Sequence, residues 1–265
     1  MTMPSHSTIR AWLLVLCALS ASACAASRAR SRDADVARVR LAVASDRAQH
    51  RDWQAALNAL DPLPKEGDAR AAALTLRGTV FREKGLLEEA EADLSDALSL
   101  HSDAAATHAA LAVVYDLRSD LERGATHHAR AVELESENAG YLNDLAFSLF
   151  VRGKAREAIP LYQRALRVAP EDHRIRNNLG FALARAGEFS RATQQFALGG
   201  SPAQAKNNLG YAYERAGNLS QAFDQYLEAT RLDPALRQAR ENLRHVADTL
   251  QRKIPPDVAG DGGQS

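Results

Sequence analysis

Three groups of side chains in this sequence have types and spacings that can do chemistry. The first is a set of amides and one acid: Asn143 with Asp144, Asn177 with Asn178, and Asn207 with Asn208. A side-chain amide both donates and accepts hydrogen bonds. Recurring at a fixed interval, such groups can bond the backbone of an extended peptide or a partner helix, or tie neighbouring elements of the protein together. Phe147, Phe150, Phe181 and Tyr211 follow one or two turns later, and Arg174, Arg185 and Arg215 add charge that can meet a carboxylate. Aromatic, Arg and Asn side chains together suit a protein-binding hot spot. The second group is His127 and His128. Adjacent helical residues point about 100° apart, so the pair is a poor chelate, and surface or packed histidines are the plainer reading. The third is the carboxylate run Glu88, Glu89, Glu91 and Asp93, which reads as a solvated helix face. No P-loop, dinucleotide fingerprint, HExxH or nucleophile elbow occurs. The sequence therefore leads us to expect no catalytic site, metal or cofactor.

What must position these residues is a repeat. Residues 177–192 read NNLGFALARAGEFSRA and residues 207–222 read NNLGYAYERAGNLSQA. Related segments start at 41, 75, 109 and 143, so every step is 34 residues except the last, which is 30. Each copy has a small residue in its first half (Ala44, Gly78, Ala112, Ala146, Gly180, Gly210) and another later (Ala56, Ala90, Gly124, Ala158, Ala192, Ala222). Two antiparallel helices approach closely only where side chains are small, so these positions mark a helix crossing. Larger groups such as Leu94, Tyr162, Phe196 and Tyr226 fill the space beside it. Arg47, Arg77 and His128 stand where apolar residues are expected. The four residues missing at the short step are about one helical turn. ALGGSPAQ shows where the turn went: Gly199 or Gly200 takes the left-handed conformation that ends a helix. Ser201 is the N-cap, Pro202 the first helical residue, and Gln204 completes a capping box.

A sustained 34-residue helix–turn–helix period resembles the tetratricopeptide repeat. The resemblance covers residues 37–236 and implies an all-α superhelical solenoid of antiparallel helix pairs. The repeats are 37–70, 71–104, 105–138, 139–172, a shortened 173–202, and 203–236. A cap helix over 237–252 follows, with 24–36 read as an unfolded linker and 253–265 as an unfolded tail. In this family the first helices line the concave side. The resemblance therefore places Asn143, Asp144, Phe147, Arg174, Asn177, Asn178, Phe181, Arg185, Asn207, Asn208, Tyr211 and Arg215 in a peptide-binding groove. The family's carboxylate clamp needs Lys and further Asn where this chain has Val113, Phe147 and Phe181, so acidic chaperone tails are not the expected partner.

Lys+Arg and Asp+Glu both number 33 in the 265 residues, which gives no electrostatic reason to expect nucleic acid. Residues 1–23 read as a signal peptide, with the apolar run AWLLVLCALSASA after Arg10. Small residues before Cys24 resemble a bacterial lipobox, with Ala21 where Leu is usual. That resemblance implies lipidation at Cys24, and Ala25 then points to the outer membrane. An ordinary secretory cleavage would leave a free periplasmic protein. Cys17 lies in the leader, so no cysteine pair is left for a disulfide. The reading is a non-enzymatic adaptor at the bacterial envelope whose partners are other proteins. It is similar to the tetratricopeptide lipoproteins of pilus and secretion machines, above all those of tight-adherence (Flp) pilus assembly. Two alternatives stand beside it: an accessory module of an envelope enzyme, and a structural lipoprotein that binds cell-wall glycan, for which stacking aromatics are usual, although the one tryptophan left after processing, Trp53, sits at the start of a second helix where packing is the plainer role.

Overall fold

The structure is a computed structural model that describes residues 32–259; the leader 1–23, Cys24 and residues 260–265 lie outside the described residues. Helix α1 covers residues 32–49. It is followed by α2 (Trp53–Leu60), α3 (Gly67–Glu83), α4 (Leu87–Leu100), α5 (Ala105–Leu117), α6 (Leu121–Leu134) and α7 (Ala139–Val151). Then come α8 (Ala155–Val168), α9 (His173–Arg185), α10 (Phe189–Leu198), α11 (Pro202–Arg215), α12 (Leu219–Leu232), α13 (Arg237–Leu250) and the short α14 (Pro256–Ala259). Among the described residues there is no strand. The fold is a tetratricopeptide-type solenoid of helix pairs. Contacts divide the chain into two compact bodies, one ending at Val114 and one beginning at Tyr115.

Within each pair the turn is set by one residue with positive φ. Gly85, Gly153, Gly187 and Gly217 hold it at φ 75 to 88°, and Arg51 and Ser119 occupy the same repeat position at φ 60° and 62°. Most side chains resist this left-handed region, which accounts for glycine at four of the six turns. The crossing is set by the small residues. A Cβ at Gly180 would lie 2.5 Å from the Phe196 ring, and one at Gly210 would lie 2.7 Å from the Tyr226 ring. Any side chain there would drive the pair apart.

In the N-terminal body, α1 with α2 and α3 with α4 pack around Ala44, Leu60 and Ala73, and around Leu74, Val80 and Leu94. Arg77, unexpected at its position, is neutralised. Its Nε and Nη2 donate to both oxygens of Asp93 at 2.6 and 2.7 Å, and Asp93 is buried. Those bonds push the guanidinium pKa above its ordinary value. In the C-terminal body, successive pairs bury Leu142, Tyr162, Ile175, Leu183, Phe196 and Tyr226.

Three expectations need correction. Residues 32–36 are helical, so the start of α1 takes in the end of the supposed linker. The tail is folded as far as it is described: Ile254 and Val258 pack on a cluster with Phe223 and Val246, and Arg231 pairs with Asp257 at 2.9 Å. A pattern of isolated apolar residues escaped notice because its partners lie on α12. Finally, neither Gly199 nor Gly200 is left-handed; Gly199 has φ −97°. Glycine is needed at 199 for room, since a Cβ there would lie 2.5 Å from the Asn177 amide oxygen. Past that joint, Ser201 caps α11, and its capping box with Gln204 is complete.

Candidate functional site on the first helices of the C-terminal body

The amide pairs are bonded to one another. Asn178 Nδ2 donates to Asn143 Oδ1 at 2.9 Å, and Asn208 Nδ2 to Asn177 Oδ1 at 3.1 Å. Asn242 Nδ2 donates to Asn207 Oδ1 at 3.0 Å. Each rung links one first helix to the next: α7 to α9, α9 to α11, and α11 to α13. Asn143 and Asn207 are only 2% and 4% exposed, so both are tied into the fold. Asn143 also donates to Asp144, and Asn177 to the carbonyl of Gly199 at the end of α10. Of the two roles open to these amides, the geometry displays the tie between neighbouring helices. Asn242 was missed in the sequence, although it lies 34 residues after Asn208 and extending the period finds it.

The aromatic row lies one turn further along. Phe147 and Tyr211 are 47% and 45% exposed, while Phe181 between them in sequence is half-buried. Phe181 meets Tyr211 edge-on at 5.8 Å and Phe196 at 4.9 Å. The three arginines differ in how far they are committed. Arg185 lies over the Phe150 ring at 5.2 Å and donates to the Phe150 carbonyl, so it braces the end of α7. Arg174 faces Asp144 and Asp172 at 4.0 and 3.9 Å, at the limit of an ion pair. Arg215 is exposed and has no partner among the described residues. The residues left with free capacity are thus Phe147 on α7, Arg174 on α9, and Tyr211 and Arg215 on α11, and the ladder ties those three helices to one another.

A second polar pattern was not foreseen. His128 is 2% exposed, and its Nε2 pairs with Asp116 Oδ2 at 2.9 Å. Tyr226, fully buried, donates to Glu214 at 2.6 Å. In both pairs the acid precedes its partner by 12 residues and occupies the same repeat position. Burial and the Glu214 charge push the Tyr226 hydroxyl pKa up. Where Phe196 fills the position, Ala184 replaces the acid and nothing polar needs satisfying. Tyr162 has Phe150 there instead, and its hydroxyl has no hydrogen-bond partner. Burial pushes its pKa up as well. His127 stacks on Tyr115 at 5.5 Å. Among the described residues no cluster of His, Cys, Asp or Glu is placed to hold a metal ion. None of the described helices is long and apolar enough to cross a membrane.

Comparison with known proteins agrees with this architecture. Tetratricopeptide-repeat family models match residues 41–105, 143–202 and 203–236, together more than half of the chain. The chain is 30% identical over 134 residues to the type IV pilus assembly protein PilF of Pseudomonas aeruginosa; this covers 49% of the chain and 52% of that protein. The chain thus spans about half the length of the curated relative it matches. The solved structure of P. aeruginosa PilF superposes with a TM-score of 0.63 at 16% identity, over 80% of this chain and 99% of that one. YrrB, described as a TPR protein with an unusual peptide-binding site, gives 0.55 at 23% identity over 71% and 97%. MamA from Desulfovibrio magneticus gives 0.56 at 16% over 64% and 98%. The period, the crossings and the matched segments agree: this chain belongs to the tetratricopeptide-repeat family.

Proposed function

We propose that the protein is a non-enzymatic adaptor of the bacterial cell envelope, and that it holds a peptide or helix of another protein against the first helices of its C-terminal body. The observation that carries this reading is the exposure of Phe147 on α7 and of Tyr211 on α11, one helical turn before the unpaired Arg215, on helices fixed by an internally satisfied ladder. Rigid aromatic side chains with a nearby guanidinium make effective anchors because little freedom is lost when a partner covers them. Asn143, Asn177 and Asn207 serve that surface by holding it in shape. Asp144, Asn178, Phe181, Asn208 and Arg185 flank it. The leader and the residues around Cys24 support a lipid-anchored protein on the periplasmic side of the outer membrane. The likeness to a type IV pilus assembly protein supports a role in building a pilus, and the order of leader, cysteine and repeats suits the tight-adherence type.

The test is a photoreactive phenylalanine analogue placed at Phe147 or Tyr211 in cells. The expected result is a crosslink to a defined segment of an envelope protein, weakened by Arg215→Glu and absent when the analogue replaces Arg231 on α12. No crosslink from either position, or the same pattern from Arg231, overturns the groove reading. Mass spectrometry of the mature N-terminus checks the anchor: acyl chains are expected on Cys24.

A further inference from the structure

We propose that a cleft in the N-terminal body, between the start of α1 and the segment after α2, is a docking site for two turns of an amphipathic helix from a partner protein. This inference does not depend on the groove of the C-terminal body. The cleft has a volume of about 590 Å³, and Val36, Ala37, Leu41, Leu60, Leu63 and Ala73 form its apolar walls.

Its origin lies in the repeat. Helix α2 has 8 residues where α4 has 14, a deficit of about 9 Å of helix. The chain turns away through Asp61-Pro62-Leu63-Pro64, and proline cannot supply the amide needed to continue a helix. The next pair shows what normally fills this space. There, Ala97 on the last turns of α4 is 1% exposed, and Ala71 and Leu74 on α3 are 7% and 1% exposed. The residues 34 positions earlier are Leu63, Ala37 and Arg40, and all three are only half-buried. Val36, Val39 and Val43 continue the apolar surface along α1 at 56%, 61% and 44% exposure. The cleft is the imprint of the two turns that α2 lacks.

Charge around the rim identifies the occupant further. Asp33 and Glu66 are exposed carboxylates without a partner among the described residues, Lys65 is an exposed ammonium, and the half-buried Arg40 is committed to the Ala59 carbonyl at the end of α2, to which its Nε donates at 3.0 Å. A guest helix that continues the direction of α2 brings its C-terminal end to Asp33 at the start of α1. A basic residue in the last turn of that guest meets Asp33 and its own helix dipole together. An acyl chain would leave both carboxylates unpaired. The guest is therefore a helix with apolar residues at i, i+3 or i+4 and i+7 and a basic last turn.

The test uses the full chain and a stapled, fluorescein-labelled peptide of the last two turns of α4, Asp93–Leu100, carrying Ser99→Lys. Saturable binding by fluorescence anisotropy is expected. Ala37→Trp, which fills the cleft, should weaken it about tenfold with the melting temperature unchanged or raised. Leu63→Asp should act likewise from the opposite wall; if it unfolds the protein, Ala37→Trp alone decides. Asp33→Asn should weaken binding of the lysine-bearing peptide and leave binding of the unsubstituted peptide unaffected. Absence of saturable binding, or equal binding by Ala37→Trp, overturns the proposal. So does displacement of the peptide by laurate, which makes the cleft an acyl site. A dimer in sedimentation velocity that Ala37→Trp breaks makes it a self-association face and also overturns the proposal.

Discussion

The first helix pair and the last one solve the same problem in opposite ways. A solenoid needs its terminal helices finished because no neighbour covers them. At the C-terminal end, α13 repeats a first helix, with Leu243 and Val246 buried and Asn242 bonded back to Asn207. Arg244, exposed, stands where Gly180 and Gly210 mark the crossing, so no second helix can close on α13 in the usual way. The segment after α13 then folds back: Arg252 lies 3.9 Å from the centre of the Phe223 ring and pairs with Asp224 at 3.1 Å. At the N-terminal end, α2 stops early and leaves an apolar cleft. A finished end spends its apolar surface on its own stability. An unfinished end keeps that surface for something else.

The largest expected effect tests this contrast directly. Leu243→Ala should cost about 3 kcal/mol, as for other fully buried leucines, whereas Leu63→Ala in the half-open wall should cost about 1 kcal/mol or less. Chemical denaturation of both variants checks it, and equal losses would erase the distinction between the ends. Next, Asn207→Ala should cost about 2 kcal/mol by stranding the Asn242 amide. The loss should appear as faster hydrogen exchange in α13, while α1 to α4 stay protected. Smaller still, Tyr226→Phe should cost about 1 kcal/mol by removing the bond to Glu214, whereas Tyr162→Phe should be neutral or stabilising because its hydroxyl is unbonded. Thermal melts of the two variants separate these outcomes.

The smallest effect concerns the folded-back segment and pH. The Arg231 guanidinium holds the Asp257 carboxyl below its ordinary 3.8. A carboxylate whose pKa is lowered in the folded state stabilises that state above its unfolded pKa. The contribution of this pair is therefore complete above about pH 4 and fades as pH falls through the lowered value. The Val258 methyl resonances should shift in that acid range, and Asp257→Asn should remove the dependence.

Much of this was legible before the structure because the signals are local. A helix crossing needs small residues at a fixed phase, and Gly180, Gly210 and Ala146 supply them in register. Ser201, Pro202 and Gln204 define a helix start within four residues of chain. The parts that were not legible depend on groups far apart in sequence. Gly199 is small because Asn177 reaches across to it, not because of its own backbone angles. Whether Asn178 faces a guest or Asn143 is decided by how two helices settle, and so is the contact of Arg185 with Phe150. Tail residues Ile254 and Val258 look isolated until Phe223 provides their surface. The acids at 116 and 214 were findable: each precedes a polar intruder in the core by 12 residues, a spacing that the repeat itself defines.

The amide ladder has one more consequence. Its rungs join residues 35, 31 and 35 positions apart, so the tie records where helices meet in space and ignores how much chain runs between them. A protein held in this way can shed or regain a turn between rungs without losing alignment. The joint at Gly199 is thus a natural point at which gene duplication or deletion can change the length of such an array while every later helix stays in step.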